Sequence, residues 1–230
     1  MPIIENSEFE NKVVVITGAG NGLGRSHAIE YAKRGAKVVV NDLGGSVDGS
    51  GAGDAADQVV AELQAMGAEA VANKASVSDP DGAQSIIQSA LDAFGRIDIL
   101  VNNAGIGEFY PVSETSATFW DEVMNTNVKG TFLCSKEAVI QMQKQGVGHI
   151  ISIASDVAKR TFANGALYCS SKYAQDAFSS ALRKEVRKDG IKVSVVYPGL
   201  VDTYFNKSQP GTPENATHLK PEDIAASVLH

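Results

Sequence analysis

Residues 13–24 read Val-Val-Val-Ile-Thr-Gly-Ala-Gly-Asn-Gly-Leu-Gly, and this stretch decides the fold. The four apolar residues at its start predict a short buried strand, and the residues after Gly24 tolerate a helix as far as Gly35. The glycines between strand and helix permit a tight turn. Such a turn lets a phosphate approach the backbone at the helix N-terminus, where unpaired N–H groups favour an anion. Residues 13–35 are therefore predicted to form a strand, a glycine turn and a helix that together suit a pyrophosphate.

The next apolar run, Lys37 to Asn41, predicts a second strand, and it ends in Asp42, eighteen residues beyond Gly24. An acidic side chain at the end of the second strand can hold the 2′-hydroxyl of a nucleotide ribose and repels a 2′-phosphate. The position therefore favours NAD over NADP as the cofactor. The alternative phosphate motif, Gly-x-x-x-x-Gly-Lys-Ser/Thr, does not occur, because the lysine position of the nearest candidate is Arg25.

Apolar runs and helical stripes alternate along the rest of the chain. Further strands are predicted at Ile97–Val101, His149–Ile153 and Val193–Val196. One helix is predicted to begin at Asp79-Pro80, a cap followed by a first helical residue, and to end at Gly95. Such alternation implies right-handed crossovers. We therefore expect an α/β fold with a Rossmann-type, doubly wound parallel sheet in three αβα layers, with residues 1–230 as a single domain.

Tyr168 and Lys172 lie four residues apart, and Ser155 precedes the tyrosine by thirteen residues. On a helix this spacing puts the lysine ammonium near the phenol. A close cation favours the phenolate and lowers the pKa of the tyrosine toward the working range, which would make it a usable base. Ser155 would then be a fixed donor to the oxygen of a carbonyl or alcohol. A lone Tyr-x-x-x-Lys is more often part of an ordinary amphipathic helix, so the chemical interpretation depends on the other motifs.

The motifs together resemble those of the short-chain dehydrogenase/reductase family, from about Asn11 to Thr203. In chain order they are Thr17-Gly18-x-x-x-Gly22-x-Gly24, Asn102-Asn103-Ala104-Gly105, Asn127, Ser155, Tyr168-x-x-x-Lys172 and Pro198-Gly199-Leu200-Val201-Asp202-Thr203. The resemblance implies that Tyr168 is the catalytic base and that Lys172 stabilises its phenolate and binds the nicotinamide ribose. It also implies that Ser155 donates to the substrate oxygen and that Asn127 holds a water linking the lysine to solvent.

The same resemblance implies a cofactor site at the carboxyl ends of the strands. The residues predicted to bind the cofactor are Gly18, Asn21, Gly22, Leu23, Gly24, Asp42, Ser76, Val77, Asn103, Ala104, Gly105, Tyr168, Lys172, Pro198, Gly199, Val201 and Thr203. Many relatives carry an aspartate near the adenine where this chain has Ser76, which leaves that contact to a hydroxyl and the backbone. The Asn-Asn-Ala-Gly run also suits an ordinary turn after a strand, and Pro198 also suits the end of one.

The first half of the chain is similar to the (3R)-hydroxyacyl-CoA dehydrogenase part of multifunctional enzymes, through Asn41-Asp42-Leu43-Gly44-Gly45 and Val71-Ala72-Asn73. The predicted function is that of an NAD-dependent oxidoreductase that transfers a hydride between nicotinamide and a secondary alcohol or ketone, with a 3-hydroxyacyl thioester as a candidate substrate. Two alternatives stay open. One is an NADPH-dependent 3-oxoacyl reductase with the same catalytic residues, and the other is a non-enzymatic dinucleotide-binding scaffold.

Charge and composition limit the partners. The 230-residue chain has a net charge of −7, which argues against nucleic acid or an anionic membrane as a partner, and it contains no apolar run long enough to span a membrane. Cys134 and Cys169 form no Cys-x-x-Cys and the four histidines are scattered, so no metal is expected and a cytoplasmic location is predicted. The resemblance implies a small-molecule alcohol or ketone as substrate and a homodimer or homotetramer, in which the helices at 127–145 and 168–188 could pair.

The family pattern changes near the C-terminus. Residues 204–220 are the counterpart of the segment that covers the substrate in relatives, and their prolines and glycine predict a loop. A helix is predicted to begin at Pro221. The last strand usual in the family, with its glycine pair, is not found. Either the chain is cut short or it belongs to a subgroup that manages without that strand.

Overall fold

A computed structural model describes residues 8–44 and 53–229. Its strands are β1 Val13–Thr17, β2 Lys37–Asn41, β3 Ala70–Asn73, β4 Ile99–Asn102, β5 Gly148–Ile153 and β6 Ile191–Val196. All pair in parallel in one sheet, in the order β3-β2-β1-β4-β5-β6. The predicted Rossmann-type α/β fold is confirmed.

Helices connect the strands and cover both faces of the sheet. They are α1 Gly22–Lys33, α2 Ala55–Ala65, α3 Pro80–Phe94, α4 Ala117–Met124, α5 Gly130–Gln145, α6 Ala166–Val186 and α7 Pro221–Val228. A π-helical segment, Asn125–Lys129, joins α4 to α5 without a break. Such segments are rare and often occur at functional sites.

The core lies in two layers because side chains alternate along each strand. Val13 and Val15 of β1 point to the face covered by α3, α5 and α6. Val14 and Ile16 point to the opposite face, which is covered by α1, α2 and α7. Because both faces are covered, the strands are continuous apolar runs, as the sequence predicted.

Two boundaries show how local chemistry sets the elements. Helix α3 begins where Asp79 accepts a hydrogen bond from the Gly82 N–H (3.1 Å), and it ends at Gly95 with φ +78°, both as predicted. The fourth strand was predicted from Ile97, but it begins at Ile99. The difference arises at Asp98, because its side-chain carboxylate, rather than a backbone carbonyl, accepts the Val13 N–H at 3.0 Å.

The order of the strands reverses next to β1. Val15 of β1 pairs with Val39 of β2 on one side and with Leu100 of β4 on the other. The connections from β1 and β4 therefore leave in opposite directions, which opens a crevice between them at the carboxyl ends of the strands. The glycine turn after β1 and the Asn-Asn-Ala-Gly run after β4 border this crevice.

Candidate active site

The glycine turn disfavours a side chain at Gly18, Gly22 and Gly24. Gly18 and Gly22 have φ of +62° and +51°, in the left-handed region that glycine tolerates. A Cβ on Gly24 would lie 2.1 Å from the Gly18 carbonyl oxygen. Helix α1 starts at Gly22 without a side-chain cap and with no acidic residue in its first turn. Its N-terminus is therefore suited to an anion.

Asp42 lies beside this turn at the end of β2. Its carboxylate accepts the Gly20 N–H at 2.8 Å and the Gly44 N–H at 2.9 Å. A Cβ on Gly20 would lie 2.7 Å from the same carboxylate. The Asp42 carboxylate therefore lies directly against the glycine turn.

Asn103 ties the exit of β4 to the glycine turn. Its amide donates to the carbonyls of Thr17 (3.0 Å) and Gly18 (2.9 Å). The Thr17 hydroxyl in turn accepts the N–H groups of Asn103 (3.1 Å) and Ala104 (3.0 Å). These four hydrogen bonds fix the two loops on either side of the crevice against each other.

Asn127 lies within the π-helical segment, in the middle of the long α4–α5 run, and is fully buried. Its side chain accepts the Ile106 N–H and donates to the Ile106 carbonyl, both at 2.8 Å, and it also donates to the Ser171 hydroxyl at 3.0 Å. Asn127 therefore clamps the loop after β4 onto helix α6.

Tyr168 and Ser155 meet at the start of α6. The Ser155 side chain also contacts Asp156 (3.2 Å) and the Pro198 carbonyl (3.5 Å), which ties it to the loop after β6. Burial raises the pKa of Tyr168, and a hydrogen bond from Ser155 opposes that rise. This direction differs from the expectation that the neighbouring lysine lowers the pKa of the tyrosine, and the reason is that desolvation dominates at this buried phenol.

Lys172 is buried among uncharged partners. Its ammonium donates to the Ile153 carbonyl at 2.9 Å and to the Gln175 side chain at 3.0 Å. It lies 5.8 Å from the centre of the Tyr168 ring. Burial lowers the pKa of Lys172 to about 8, so at neutral pH most of the population carries the charge. The predicted proximity of the two side chains is present, although the ammonium is directed first to other acceptors.

Three phenylalanines surround the catalytic tyrosine candidate, and the sequence analysis missed them. The ring centres of Phe109 and Phe205 lie 5.7 and 5.3 Å from that of Tyr168, and Phe162 packs edge-on against Phe109 at 4.9 Å. Each comes from a different loop, so no spacing in the sequence could have linked them. Gly107 completes the wall, because a Cβ there would lie 2.5 Å from the Tyr168 ring.

The predicted residues after β6 reach back to the glycine turn. Thr203 lies opposite Gly22, where an added Cβ would be 3.7 Å from the threonine side chain. Val201 forms an isolated parallel bridge with Leu219, which closes the base of the loop between them. Pro198 accepts the Asp156 N–H at 2.9 Å, and nothing would crowd a side chain on Gly199.

The remaining predicted cofactor residues differ in their placement. Ala104 touches the glycine turn, since a Cβ on Gly18 would lie 2.8 Å from its Cα, and Gly105 lies against Asn127 and Lys172. The buried side chain of Val77 instead joins the core beneath α3 and α5, so only its backbone remains for a ligand. For three others the structure shows only local contacts: Ser76 pairs with Ser78 (2.9 Å), Leu23 packs partly into the core, and Asn21 precedes α1 in extended conformation.

No group of three or more histidine, cysteine or acidic side chains in the described part of the chain could hold a metal ion. None of the helices within residues 8–44 and 53–229 is both long and apolar enough to cross a membrane.

The chain is similar in sequence to a family model and to several known proteins. The family model described as short chain dehydrogenase matches residues 12–213. Peroxisomal multifunctional enzyme A of Dictyostelium discoideum is 40% identical over 96% of this chain, which covers 49% of that protein. A 3-oxoacyl-[acyl-carrier-protein] reductase of Synechocystis is 35% identical over 94% of this chain and 87% of its own length. The chain spans about half the length, or less, of the multifunctional enzymes that it matches.

Solved structures extend the likeness. A 7α-hydroxysteroid dehydrogenase complexed with NADH and 7-oxo glycochenodeoxycholic acid superposes with a TM-score of 0.87 at 31% identity, covering 98% of this chain and 88% of that one. An alcohol dehydrogenase from Thermococcus sibiricus, complexed with 5-hydroxy-NADP, gives 0.84 at 32% identity, covering 94% and 88%. The two neighbours therefore hold different kinds of nicotinamide cofactor.

Proposed function

The chain belongs to the short-chain dehydrogenase/reductase family of oxidoreductases, and on this premise we propose that it transfers a hydride between NAD and a secondary alcohol or ketone. The convergence of two groups of residues carries the proposal. Asn103 binds the glycine turn, and two residues later Gly105 lies against Lys172, so the phosphate-binding turn and the Tyr168 region share one crevice.

The nicotinamide dinucleotide would lie across the switch point of the sheet. The tight turn at Gly18 to Gly24 and the uncapped start of α1 fit the pyrophosphate, Asp42 fits a ribose hydroxyl, and the stretch from Pro198 to Thr203 lies opposite that turn. When bound, the nicotinamide accepts or supplies the hydride. The protein contributes binding, orientation and proton transfer.

Tyr168 is the proposed site of proton transfer. Burial raises the pKa of its phenol, so Tyr168 Oη keeps its proton at neutral pH and can donate it to a ketone oxygen. In the oxidative direction the phenol must give up this proton to serve as a base. The Lys172 ammonium then stabilises the phenolate, and Ser155 donates to the substrate oxygen as its charge changes.

The preference for NAD rests on Asp42. Its carboxylate is fixed by two backbone N–H groups, and it has no cationic partner among the ion pairs of the described residues. A 2′-phosphate there would meet a negative charge, whereas a 2′-hydroxyl can donate to it. We therefore propose NAD as the cofactor, with NADP disfavoured.

The substrate is proposed to carry an apolar group next to its reacting carbon. Phe109, Phe162 and Phe205 form an aromatic wall beside Tyr168, and such a surface favours burial of apolar area. Phe205 lies on the loop at 204–220, which we propose covers the substrate. A 3-hydroxyacyl thioester meets this requirement, and the multifunctional enzyme and 3-oxoacyl reductase relatives make it the first substrate to test.

The test is a spectrophotometric screen of hydroxyacyl thioesters, steroids, polyols and small alcohols, each with NAD and NADP. We expect turnover with NAD, and we expect Tyr168→Phe to lower kcat by at least about a hundredfold because the transferable proton is lost. Cofactor binding should be unchanged, since the ring remains. Retention of more than about a tenth of the activity would contradict the role of Tyr168.

Two other functions are distinguished by the same screen. The 3-oxoacyl reductase relative, which this chain matches over 87% of that protein's length, makes an NADPH-dependent reductase the second candidate. A clear preference for NADP would favour it. Failure of every substrate with both cofactors, with binding of a dinucleotide retained, would favour a non-enzymatic scaffold.

For cellular location, we propose a reducing compartment. Cys134 and Cys169 are both free and buried, so neither is available for a disulfide without rearrangement. A cytoplasmic location is the simplest proposal. Five of the relatives are named as peroxisomal, which makes the peroxisome the alternative to test by fractionation.

A further inference from the structure

Gln175 joins Lys172 to the π-helical segment through a run of buried hydrogen bonds. Its side-chain oxygen accepts from the Lys172 ammonium at 3.0 Å, and its side-chain nitrogen donates to the Thr131 hydroxyl at 2.9 Å. That hydroxyl donates to the Asn127 carbonyl at 2.9 Å. Gln175, Thr131 and Asn127 are at most 3% exposed.

The chemistry of the groups fixes the direction of this run. An ammonium can only donate, so the amide oxygen of Gln175 must point to Lys172, and its nitrogen must then point to Thr131. The Thr131 hydroxyl accepts from that nitrogen, which leaves its proton for the Asn127 carbonyl. The run is therefore satisfied in one orientation only, and it holds the amide in place.

The acceptor that Gln175 offers to Lys172 is a neutral amide oxygen, and this affects the charge next to Tyr168. A carboxylate beside Lys172 would hold the ammonium and also cancel most of its charge. An amide oxygen holds the ammonium and leaves the charge available to Tyr168. Two of the three N–H groups of Lys172 are used by Ile153 and Gln175, so one remains for the crevice.

We propose that Gln175, held by Thr131, is a positioning residue that fixes the Lys172 ammonium beside Tyr168 without neutralising its charge. The inference rests on the proposed function for its catalytic consequence, but the geometric part concerns this chain alone. A polar residue inside a helix usually indicates a solvated face, which is why the sequence did not single out Gln175.

The charged surroundings of Lys172 are simple. The ring centre of Tyr168, on the same helix, lies 5.8 Å from the ammonium, and both Asp156, from the loop after β5, and Cys169 oppose ionisation of that phenol. Asp176, the next acidic residue along α6, is engaged by Lys159 (2.5 Å) and by the Tyr197 hydroxyl (2.6 Å). The groups facing Lys172 from β5 and α5 are neutral.

The direct test is an NMR titration of the lysine side chains in cofactor-free protein, with Lys172 assigned by Lys172→Arg. Burial sets the pKa of Lys172 to about 8 in the wild type. Gln175→Leu should lower this midpoint because the charged form loses an acceptor, and Gln175→Glu should raise it because the charged form gains an ion pair. Both should lower kcat/KM by about tenfold or more, with opposite displacements of the pH profile.

Thr131 provides a second pair of variants, and Ser179 a control. Thr131→Val should shift the Lys172 midpoint in the direction of Gln175→Leu, whereas Thr131→Ser, which keeps the hydroxyl, should restore the wild-type midpoint. Ser179→Ala removes a buried hydroxyl that contacts Ser152 at 2.9 Å and the backbone carbonyl of Gln175 at 2.8 Å. Because it leaves the side-chain amide of Gln175 in place, it should leave the midpoint and the activity unchanged. Circular dichroism and thermal melts verify that each variant is folded.

The outcomes separate this proposal from the proposed function. If Gln175→Leu and Gln175→Glu both leave the Lys172 midpoint within about half a unit of the wild type, the proposal is overturned, whatever the activity. If the midpoints shift but wild-type protein turns over no substrate, the positioning of Lys172 stands and the proposed function fails. If the Gln175 variants fail to fold, equal midpoints in Thr131→Val and Thr131→Ser overturn the proposal.

Discussion

Burial sets the properties of the two titratable residues at the centre of the crevice. The phenol of Tyr168 and the amine of Lys172 are both shifted toward their neutral forms, because each has been removed from water. In the proposed reaction, the raised pKa keeps on the phenol the proton that reduction of a ketone would consume. In the amine the effect is limited to a pKa of about 8, so enough of the charge survives at neutral pH to support a phenolate.

The Tyr-x-x-x-Lys spacing could predict that the two side chains share one side of a helix, because that depends only on helix geometry. It could not predict the sign of the tyrosine's pKa shift. That sign depends on Phe109 and Phe205, which reach the ring from loops nearly 60 residues before it and nearly 40 after it. Contacts of this range have no local signal in the sequence.

The role proposed for Asp42 predicts that a single substitution changes the choice between NAD and NADP. Asp42→Arg should admit NADP, because it replaces a repelling charge with an attracting one, and should weaken NAD because the ribose acceptor is lost. We expect the ratio of kcat/KM for NAD to that for NADP to fall by at least about tenfold. Steady-state kinetics with both cofactors measures it.

The control for Asp42 is Asp57→Arg, which makes the same charge change on the neighbouring helix. Asp57 is half exposed and pairs with Lys74 at 2.5 Å, away from the glycine turn. Asp57→Arg should leave the ratio of kcat/KM for NAD to that for NADP unchanged. A wild-type enzyme that prefers NADP, or an Asp42 variant with the wild-type ratio, would refute the assignment.

At the scale of elements, the predictions succeeded where the determinants are local. The strand, glycine turn and α1 follow from residues 13–35, and α3 has the cap and the terminal glycine that its sequence predicted. The π-helical segment at Asn125–Lys129 was not predicted. Its Asn127 bonds to Ile106, 21 residues earlier in the chain, and a contact of that range has no local signal in the sequence.

The loop at 204–220 is organised by one buried carboxylate. Asp202 accepts hydrogen bonds from the Gly211 N–H (3.0 Å), the Asn215 amide (2.9 Å) and the Lys220 ammonium (2.8 Å). The lysine partner, followed by the backbone contact to Gly211, lowers the pKa of Asp202. The carboxylate thus joins the start, middle and end of the loop that carries Phe205.

Asp202→Ala is therefore expected to loosen this loop. It should raise KM for apolar substrates severalfold and speed proteolytic cleavage between residues 204 and 220, because three anchors are lost at once. Steady-state kinetics and mass spectrometry of the fragments measure the two effects. Glu222→Ala is the control, because it removes the same charge just beyond the loop, and it should change neither KM nor the rate of cleavage. Equal cleavage of the two variants would contradict the role of Asp202 in holding the loop.

At the scale of the whole molecule, α5 and α6 present apolar side chains that the rest of the described chain leaves exposed. Phe132 and Ile140 on α5 and Tyr173 on α6 are 45%, 43% and 42% exposed. The exposed Phe132 also packs edge-on against Phe178 of α6 at 6.1 Å, which joins the two helices into one surface. We expect a second copy of the chain to bind there, in a homodimer or homotetramer.

Phe132→Glu should dissociate this assembly, because a charge would be buried in an apolar interface. Sedimentation velocity at micromolar concentration should show the wild type as an oligomer and the variant as a monomer. Val147→Glu is the matched control, since Val147 is 47% exposed and lies outside both helices. An assembly that persists in Phe132→Glu while Val147→Glu disrupts it would place the interface elsewhere.

The pH dependence of stability is also a property of the whole molecule. His27, on α1, is 1% exposed, and neither of its ring nitrogens has a hydrogen-bond partner among the described residues. Burial lowers the pKa of His27 to about 4, and burial with the nearby Lys192 lowers that of His149 to about 4. Between about pH 6.5 and 4 the unfolded chain therefore takes up protons at these sites that the folded chain does not.

The free energy of unfolding should consequently fall as the pH falls from about 6.5 to about 4, by at most about 3 kcal/mol from His27. His27→Leu should flatten this part of the curve, because it removes one proton uptake, and should not lower stability at pH 7, because an unpaired buried polar ring is replaced by an apolar side chain. Urea unfolding across this pH range measures both effects. His149 keeps its contact to Ser194 (2.9 Å) in that variant, so part of the acid sensitivity should remain. If the variant's stability falls with pH as steeply as that of the wild type, His27 is not a source of the acid sensitivity.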